Sequence, residues 1–229
     1  MSLFAIADPH LSLDADKSME VFRGWQDYVA RLEANWRAVV GEEDTVVIAG
    51  DLSWGMSLAG ALRDMQFLHS LPGRKLLLKG NHDYWWSTRR KMDTFFEEHG
   101  LHSLQIVHND AALVEGIAVC GTRGWFYEEE RGTEHDRKIM LREIGRLEAS
   151  LKAAGDREKI AFLHYPPKYL NYECPEILEM LERYGVHECY YGHIHGKGCP
   201  AAFQGEKNGV RFRLVSADHV NFSPVKVRD

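Results

Sequence analysis

The first half of the chain contains Leu76-Leu77-Leu78-Lys79-Gly80-Asn81-His82-Asp83. Its apolar start predicts a short buried strand. The four residues after the apolar run are poor at continuing a strand, and glycine lets the backbone turn tightly there. Asn81 offers an amide oxygen, and the imidazole of His82 exchanges protons near neutral pH. Taken alone, these residues form either a polar turn or part of a chemical site.

Two earlier apolar runs end in the same way. Leu3 to Ala7 precede Asp8-Pro9-His10, and Thr45 to Ala49 precede Gly50-Asp51. Apolar residues at helical spacing after each of the three strands predict helices over Met19 to Val40, Leu58 to Leu71 and Thr88 to His99. This alternation predicts a largely parallel sheet. Functional groups gather at the carboxyl ends of such strands, where this chain has Asp8, His10, Asp51, Asn81 and His82.

The second half starts with closely spaced short strands. We predict an antiparallel meander over Leu104 to Val107, Ala111 to Val114 and Ile117 to Cys120. The predicted elements that follow are a charged loop over Glu128 to Lys138, helices over Arg137 to Ala154 and Glu176 to Tyr184, and strands over Lys159 to Leu163, Glu188 to Tyr191 and Val210 to Val215. The two strand-rich halves predict two sheets that face each other, with helices outside.

Two of these later strands also end in imidazoles. His164 follows the strand over Lys159 to Leu163, and Gly192-His193-Ile194-His195 follows the strand over Glu188 to Tyr191. If the backbone stays extended, both imidazoles of a His-x-His segment lie on one side.

The composition of the chain limits the classes of protein to which it can belong. The 229 residues predict a single domain over 1–229, and 45% hydrophobic residues supply a sizeable core. A net charge of −6 argues against a stable nucleic-acid complex. No apolar run approaches about 18 residues, so we expect no membrane span. Four cysteines without a CxxC pair, and no leader peptide, predict free thiols and a cytoplasmic protein.

The residues at the strand ends have the chemistry of metal ligands. They combine carboxylates, imidazoles and one amide, without thiolates, in the set Asp8, His10, Asp51, Asn81, His82, His164, His193 and His195. Such ligands suit Mn²⁺, Fe and Zn²⁺. They are too many for one catalytic Zn²⁺, which usually takes three protein ligands. Two metal ions fit the set better.

In this order and spacing, the five blocks resemble the calcineurin-like metallophosphoesterase superfamily. The blocks are Asp8-x-His10, Gly50-Asp51, Gly80-Asn81-His82-Asp83, His164 and Gly192-His193-x-His195. The resemblance implies an α/β fold, a four-layer α/β/β/α sandwich of two mixed sheets flanked by helices. It also implies one metal held by Asp8, His10, Asp51 and His195, and a second held by Asp51, Asn81, His164 and His193.

The resemblance further implies hydrolysis of a phosphomonoester or phosphodiester. A metal-bridging hydroxide would attack phosphorus, with His82 as the catalytic proton donor. The substrate would be a small molecule or a nucleotide. The alternatives are a nuclease or cyclic-nucleotide phosphodiesterase on the same site, and a non-catalytic binding module on the same fold.

Two departures from the family pattern concern His82. Protein serine/threonine phosphatases of this superfamily typically have a second Asp where this chain has Trp54, and Glu where it has Asp83. The departures favour the bacterial phosphoesterase and phosphodiesterase branches. They leave open whether a backbone carbonyl or Asp83 orients His82.

Substrate-binding candidates lie in the loops next to the blocks. Trp54, Trp85 and Trp125 either stack on a planar part of the substrate or pack locally. Arg123 either clamps a phosphate or forms a structural ion pair. The sequence does not distinguish between these alternatives.

Overall fold

The structure is a computed structural model that describes residues 1–126 and 132–229. Its strands are β1 (Leu3–Ile6), β2 (Thr45–Ala49), β3 (Arg74–Leu78), β4 (Leu104–Ile106), β5 (Ala112–Val114), β6 (Ile117–Thr122), β7 (Lys159–Leu163), β8 (Lys168–Tyr169), β9 (Tyr172–Glu173), β10 (Glu188–Tyr191), β11 (Gly205–Lys207), β12 (Val210–Leu214) and β13 (Val225–Arg228). Its α-helices are α1 (Tyr28–Val39), α2 (Leu62–Ser70), α3 (Arg89–Glu98), α4 (Glu134–Ala153) and α5 (Pro175–Arg183).

Two large mixed sheets form the centre of the fold. The first has the order β13-β1-β2-β3-β4, in which only the pairing of β13 with β1 is antiparallel among the described strands. The second has the order β11-β12-β10-β7-β6-β5, with four parallel inner strands and antiparallel edges. The small hairpin β8-β9 lies apart.

Successive side chains along a strand face opposite sides of the sheet and so pack against different layers of the fold. In β2, Val46 and Ile48 pack against the helices of the first half, while Val47 and Ala49 pack toward the second sheet. Helices α4 and α5 cover the outer face of the second sheet. The layers therefore run helix, sheet, sheet, helix, and the predicted sandwich of two mixed sheets flanked by helices is confirmed. One domain over 1–229 stays a prediction.

The predicted three-strand meander is wrong for its first strand. β4 pairs parallel with β3, from Lys75 opposite Leu104 to Leu77 opposite Ile106. Helix α3 provides the crossover between β3 and β4, as α1 and α2 do for the earlier strands. The chain then passes to the second sheet, where β5 and β6 form the antiparallel pair. Short spacing along the sequence concealed this change of sheet.

The predicted helix over Met19 to Val40 is also too long. Gly24 and Asp27 have φ angles of +90° and +51°, which an α-helix does not accept. A single 3-10 turn at Met19–Val21 therefore precedes the break, and α1 starts at Tyr28. As a result Phe22 is 55% exposed instead of joining the core.

Helix α4 starts earlier than predicted, at Glu134, where Thr133 and Asp136 form a capping box. The predicted charged loop over 128–138 falls partly on residues 127–131, which lie outside the described residues. No helix in the described part of the chain is long and apolar enough to cross a membrane.

Candidate metal centre

The residues predicted as metal ligands follow five strands that end at one edge of the sandwich. Asp8 and His10 follow β1, Asp51 follows β2, and Asn81 follows β3. His164 follows β7, and His193 and His195 follow β10. The structure brings all seven together at this edge.

A first group contains Asp8, His10 and His195. One ligand atom of each lies within 4.8 Å of the others. Nε2 of His195 lies 3.7 Å from Oδ1 of Asp8. The side chains of Asp8 and His10 are buried, while His195 is partly exposed.

A second group surrounds His164, which is fully buried. Its Nε2 lies 2.6 Å from Oδ1 of Asn81 and 3.5 Å from Oδ2 of Asp51. Nδ1 of His193 lies 3.0 Å from the same Asn81 oxygen. Oδ2 of Asp51 also lies 3.7 Å from Nε2 of His10, so this carboxylate faces both groups.

The backbone at these positions is strained. Asp8, His10, Asp51 and His193 have φ angles of +58°, +45°, +50° and +71°. Such left-handed conformations cost energy for non-glycine residues and concentrate at functional sites. For His193 the conformation breaks the extended His-x-His geometry. The condition of an extended backbone on which the His-x-His prediction depends is therefore not met, and His193 faces Asn81 while His195 faces Asp8.

One buried carboxylate holds two of the loops together. Asp83 accepts hydrogen bonds from the backbone N–H groups of Gly80, Asp51, Leu52 and Ser53. The indole Nε1 of Trp85 supplies a fifth donor at 2.9 Å. Asp83 thereby connects the end of β2 to the end of β3, a role that the sequence did not reveal.

Gly80 is required by the close approach of these loops. A Cβ at Gly80 would lie 2.1 Å from Oδ1 and 2.2 Å from the backbone nitrogen of Asp51. Neither Asp51 nor its loop has room to move away, because Asp83 holds the same backbone.

Gly80→Ala is therefore expected to displace the Asp51 carboxylate and to lower the free energy of unfolding by about 1–3 kcal/mol. Metal content and thermal unfolding are the measurements. Gly145→Ala on α4 is the matched control, because its added Cβ meets no atom within 4 Å. The control is expected to keep its metal and to gain up to about 1 kcal/mol. Wild-type metal content in Gly80→Ala would contradict the close-approach explanation.

The protonation of His164 suits a metal ligand. Its Nδ1 lies 3.2 Å from the carbonyl oxygen of Ala49, which accepts only, so Nδ1 carries the proton. Burial holds the pKa of His164 below its usual value. Nε2 of the neutral ring is then a lone pair facing the Asn81 oxygen at 2.6 Å. Two hydrogen-bond acceptors this close together fit a cation that is bound by both.

The first group shows the same property. Within the described residues, Oδ1 of Asp8 and Nε2 of His195 are buried and have no hydrogen-bond partner. Nδ1 of His195 donates to Oδ1 of Asp218 at 2.8 Å, which turns Nε2 toward Asp8. Burial lowers the pKa of His195, but the carboxylates of Asp8 and Asp218 outweigh it and raise the pKa to about 10. The pocket therefore favours a positive charge between these groups.

The protonation of Asp51 also indicates that this pocket favours a positive charge. Burial, followed by the charge of Asp8, raises the pKa of Asp51 to about 8. Two buried carboxylates side by side need a cation to remain ionised together. The residues present thus fit bound metal ions.

Asp218 is a residue that the sequence did not single out as functional. It lies 23 residues after His195 and also accepts the backbone N–H of Gly196 at 2.7 Å. Asp218→Asn is expected to lower metal affinity by about 10–100-fold, because the orientation of the His195 ring weakens. Metal titration of apo-protein measures this. Asp93→Asn, on the exposed face of α3, is the control and should not change affinity. Equal affinities would show that Asp218 does not position the ligand.

His82 lies at the mouth of the site. Its ring is half-buried, and its Nδ1 lies 3.2 Å from the hydroxyl of Tyr84. The ring centroid of Trp54 is 4.4 Å away. Burial, followed by the charge of Lys17, lowers the pKa of His82 to about 4. Since Asp83 accepts from five other donors, the contacts of the His82 ring favour orientation by Tyr84 and Trp54 over orientation by Asp83.

The three tryptophans predicted as substrate-binding candidates lie at different distances from the site. Trp54 stacks on His10 with ring centroids 5.1 Å apart and lines the site. Trp85 is only 2% exposed and is hydrogen-bonded to Asp83, which leaves its ring no surface for a substrate. Trp125 donates to Asp136 at 3.0 Å and packs on Tyr165, one ring removed from the site.

Arg123 contacts a buried carboxylate instead of open space. Its Nη2 lies 3.2 Å from Oε1 of Glu143 on α4, which is 1% exposed. Arg146 and the hydroxyl of Thr122 contact the same carboxylate. These contacts favour the structural ion pair over the phosphate clamp.

Comparison with known proteins identifies one protein family. The family model described as calcineurin-like phosphoesterase matches residues 1–197. The Gene 66 protein of Mycobacterium phage L5 is 43% identical over 58 residues. That match covers 25% of this chain and 28% of the phage protein, well under two thirds of its length.

Two solved structures share the fold. A protein of unknown function from Aquifex aeolicus has a TM-score of 0.53 and 16% identity, over 98% of this chain and 95% of its own. A phosphopantetheinyl hydrolase from Mycobacterium tuberculosis has a TM-score of 0.55 and 14% identity, over 99% and 95%. At such identities the likeness concerns the fold alone.

Proposed function

The chain belongs to the calcineurin-like phosphoesterase family, and we propose that it hydrolyses a phosphoester at a centre of two metal ions. The observation that supports this most is the contact between the lone pair of His164 and the Asn81 oxygen. The buried Asp8 oxygen and His195 nitrogen, which lie 3.7 Å apart and form no hydrogen bond within the described residues, also support it.

The proposed ligands divide into two sets. One ion is held by Asp8, His10, Asp51 and His195, and the other by Asp51, Asn81, His164 and His193. Asp51 is shared, since its Oδ2 faces both His10 and His164. Carboxylate, imidazole and amide ligands suit Mn²⁺, Fe and Zn²⁺. When bound, the two ions activate a water molecule and neutralise charge on the phosphoryl oxygens.

In this proposal His82 handles the leaving group. A water molecule that has released one proton to solvent bonds through its oxygen to phosphorus, the ester P–O bond breaks, and the departing oxygen takes a proton from His82. The charge of a bound phosphoester opposes the burial that lowers the pKa of His82, and so favours its protonated form. Tyr84 and Trp54 keep the ring facing the mouth of the site.

The substrate is proposed to be a small phosphoester, including nucleotides, and no stable nucleic-acid complex is expected.

The cytoplasmic location also stays a proposal. Its support is that all four cysteines, Cys120, Cys174, Cys189 and Cys199, are free and buried.

The experiment that tests the activity compares initial rates on phenyl phosphate and bis(4-nitrophenyl) phosphate, with and without Mn²⁺. His82→Ala serves as the blank. Diester cleavage that needs Mn²⁺ and His82 would identify a phosphodiesterase, and cleavage of the monoester alone a phosphatase. No turnover of either compound by protein that holds both ions would contradict the proposal. Protein that binds no metal and cleaves neither would favour the non-catalytic binding module.

A further inference from the structure

A pocket of about 560 Å³ opens directly beside the candidate metal centre. His10, His82 and His195 form its inner wall. A phosphoryl group alone would fill a small part of this volume, which is in the range of sites for whole small molecules. The rest of the pocket therefore faces the part of the substrate beyond the scissile phosphoester.

Three cationic side chains surround this outer part. They are Lys17, Arg23 and Lys197, and none has a carboxylate partner within the described residues. No Asp or Glu belongs to the described lining of the pocket. The chain as a whole has a net charge of −6, so the positive charge at this pocket is a local feature. It fits an anionic group on the ligand.

The same pocket has an apolar side. Phe22 is 55% exposed at its rim, and Trp25 and Trp54 lie deeper. The break that ends the 3-10 turn before α1 is the reason that Phe22 stays outside the core. Nζ of Lys17 lies 3.1 Å from the ring centre of Trp54, so a cation and an aromatic face adjoin.

We propose that the substrate carries an aromatic body and a second phosphate beyond the phosphoester that is cleaved. Lys17, Arg23 and Lys197 contact the second phosphate, and Phe22 contacts the planar body. This inference rests on the proposed function, because it places the scissile group at the metal centre. It narrows the substrate to phosphoesters with two separate anionic groups.

The test measures binding without turnover. Metal-loaded protein carrying His82→Ala is titrated with adenosine 5′-monophosphate and with adenosine 3′,5′-bisphosphate, which share a planar base and differ by one phosphate. We expect the bisphosphate to bind at least about 10-fold more tightly. Adding Lys17→Gln and Arg23→Gln should bring the ratio of the two affinities close to one. The matched control is Lys152→Gln, on α4, which should leave the ratio unchanged.

A second pair of titrations tests the planar body. Phe22→Ser is expected to weaken adenosine 5′-monophosphate by about 5–10-fold relative to inorganic phosphate, because the base loses its apolar contact. An unchanged ratio in the Lys17 and Arg23 variant, or no preference for the bisphosphate, would overturn the inference. Turnover of phenyl phosphate by wild-type protein reports the proposed function separately. Failure of the inference and failure of the activity are therefore distinguishable.

Discussion

Asp51→Asn is expected to lose both metal ions and with them all measurable phosphoesterase activity. Oδ2 of Asp51 is the atom that faces both His10 and His164, at 3.7 and 3.5 Å. An amide cannot supply the negative charge that a shared ligand needs between two cations. Metal analysis of the purified variant and initial rates on the substrate cleaved by wild type measure the two losses.

The variant should nevertheless fold. The side-chain oxygen of Asn can still accept the backbone N–H of His82, which donates to Oδ1 of Asp51 at 2.7 Å in the wild type. Asn also removes the repulsion between two buried carboxylates, since a carboxylate oxygen of Asp8 lies within 4.8 Å of one of Asp51. Metal-free Asp51→Asn is thus expected to unfold at a temperature no lower than metal-free wild type. Full activity or bound metal in this variant would contradict the shared position of Asp51.

His82→Ala is expected to keep both ions and to lose about 10²–10⁴-fold in kcat, the usual contribution of a positioned acid or base. The His82 ring belongs to neither proposed ligand set, and the backbone N–H that contacts Asp51 is retained. Parallel measurements of metal content and of kcat on the same sample give the result.

The matched comparison is Tyr84→Phe, which removes only the hydroxyl that lies 3.2 Å from Nδ1 of His82. We expect a loss in kcat smaller than that of His82→Ala, with KM nearly unchanged. If metal content falls together with rate in His82→Ala, the ring is a ligand and not a proton donor.

The fold was predictable from the sequence where strands are buried on both faces. The sequence of β2, Thr45–Ala49, is a continuous apolar run because Val46 and Val47 each contact a different layer. β10, at Glu188–Tyr191, was predicted with the bounds that the structure has. β13 was missed because an edge strand with one exposed face lacks the apolar run.

The candidate site was predictable as a set of residues but not as a geometry. Each proposed ligand directly follows a predicted strand, so topology alone brings Asp8, Asp51 and His164 together. The left-handed backbone of His193 left no mark in the residue pattern. Asp218 was missed for a related reason, since its loop reaches His195 only through tertiary packing.

Asp83 has a consequence for how metal ions enter the site. Five N–H groups of the protein itself donate to Asp83 and hold the loops after β2 and β3 together. Binding therefore costs little conformational entropy, and uptake needs no coupled folding of the loops. Ligands held in this way cannot contract or expand to suit each ion. Selection among ions then depends on ionic radius and on supply in the cell.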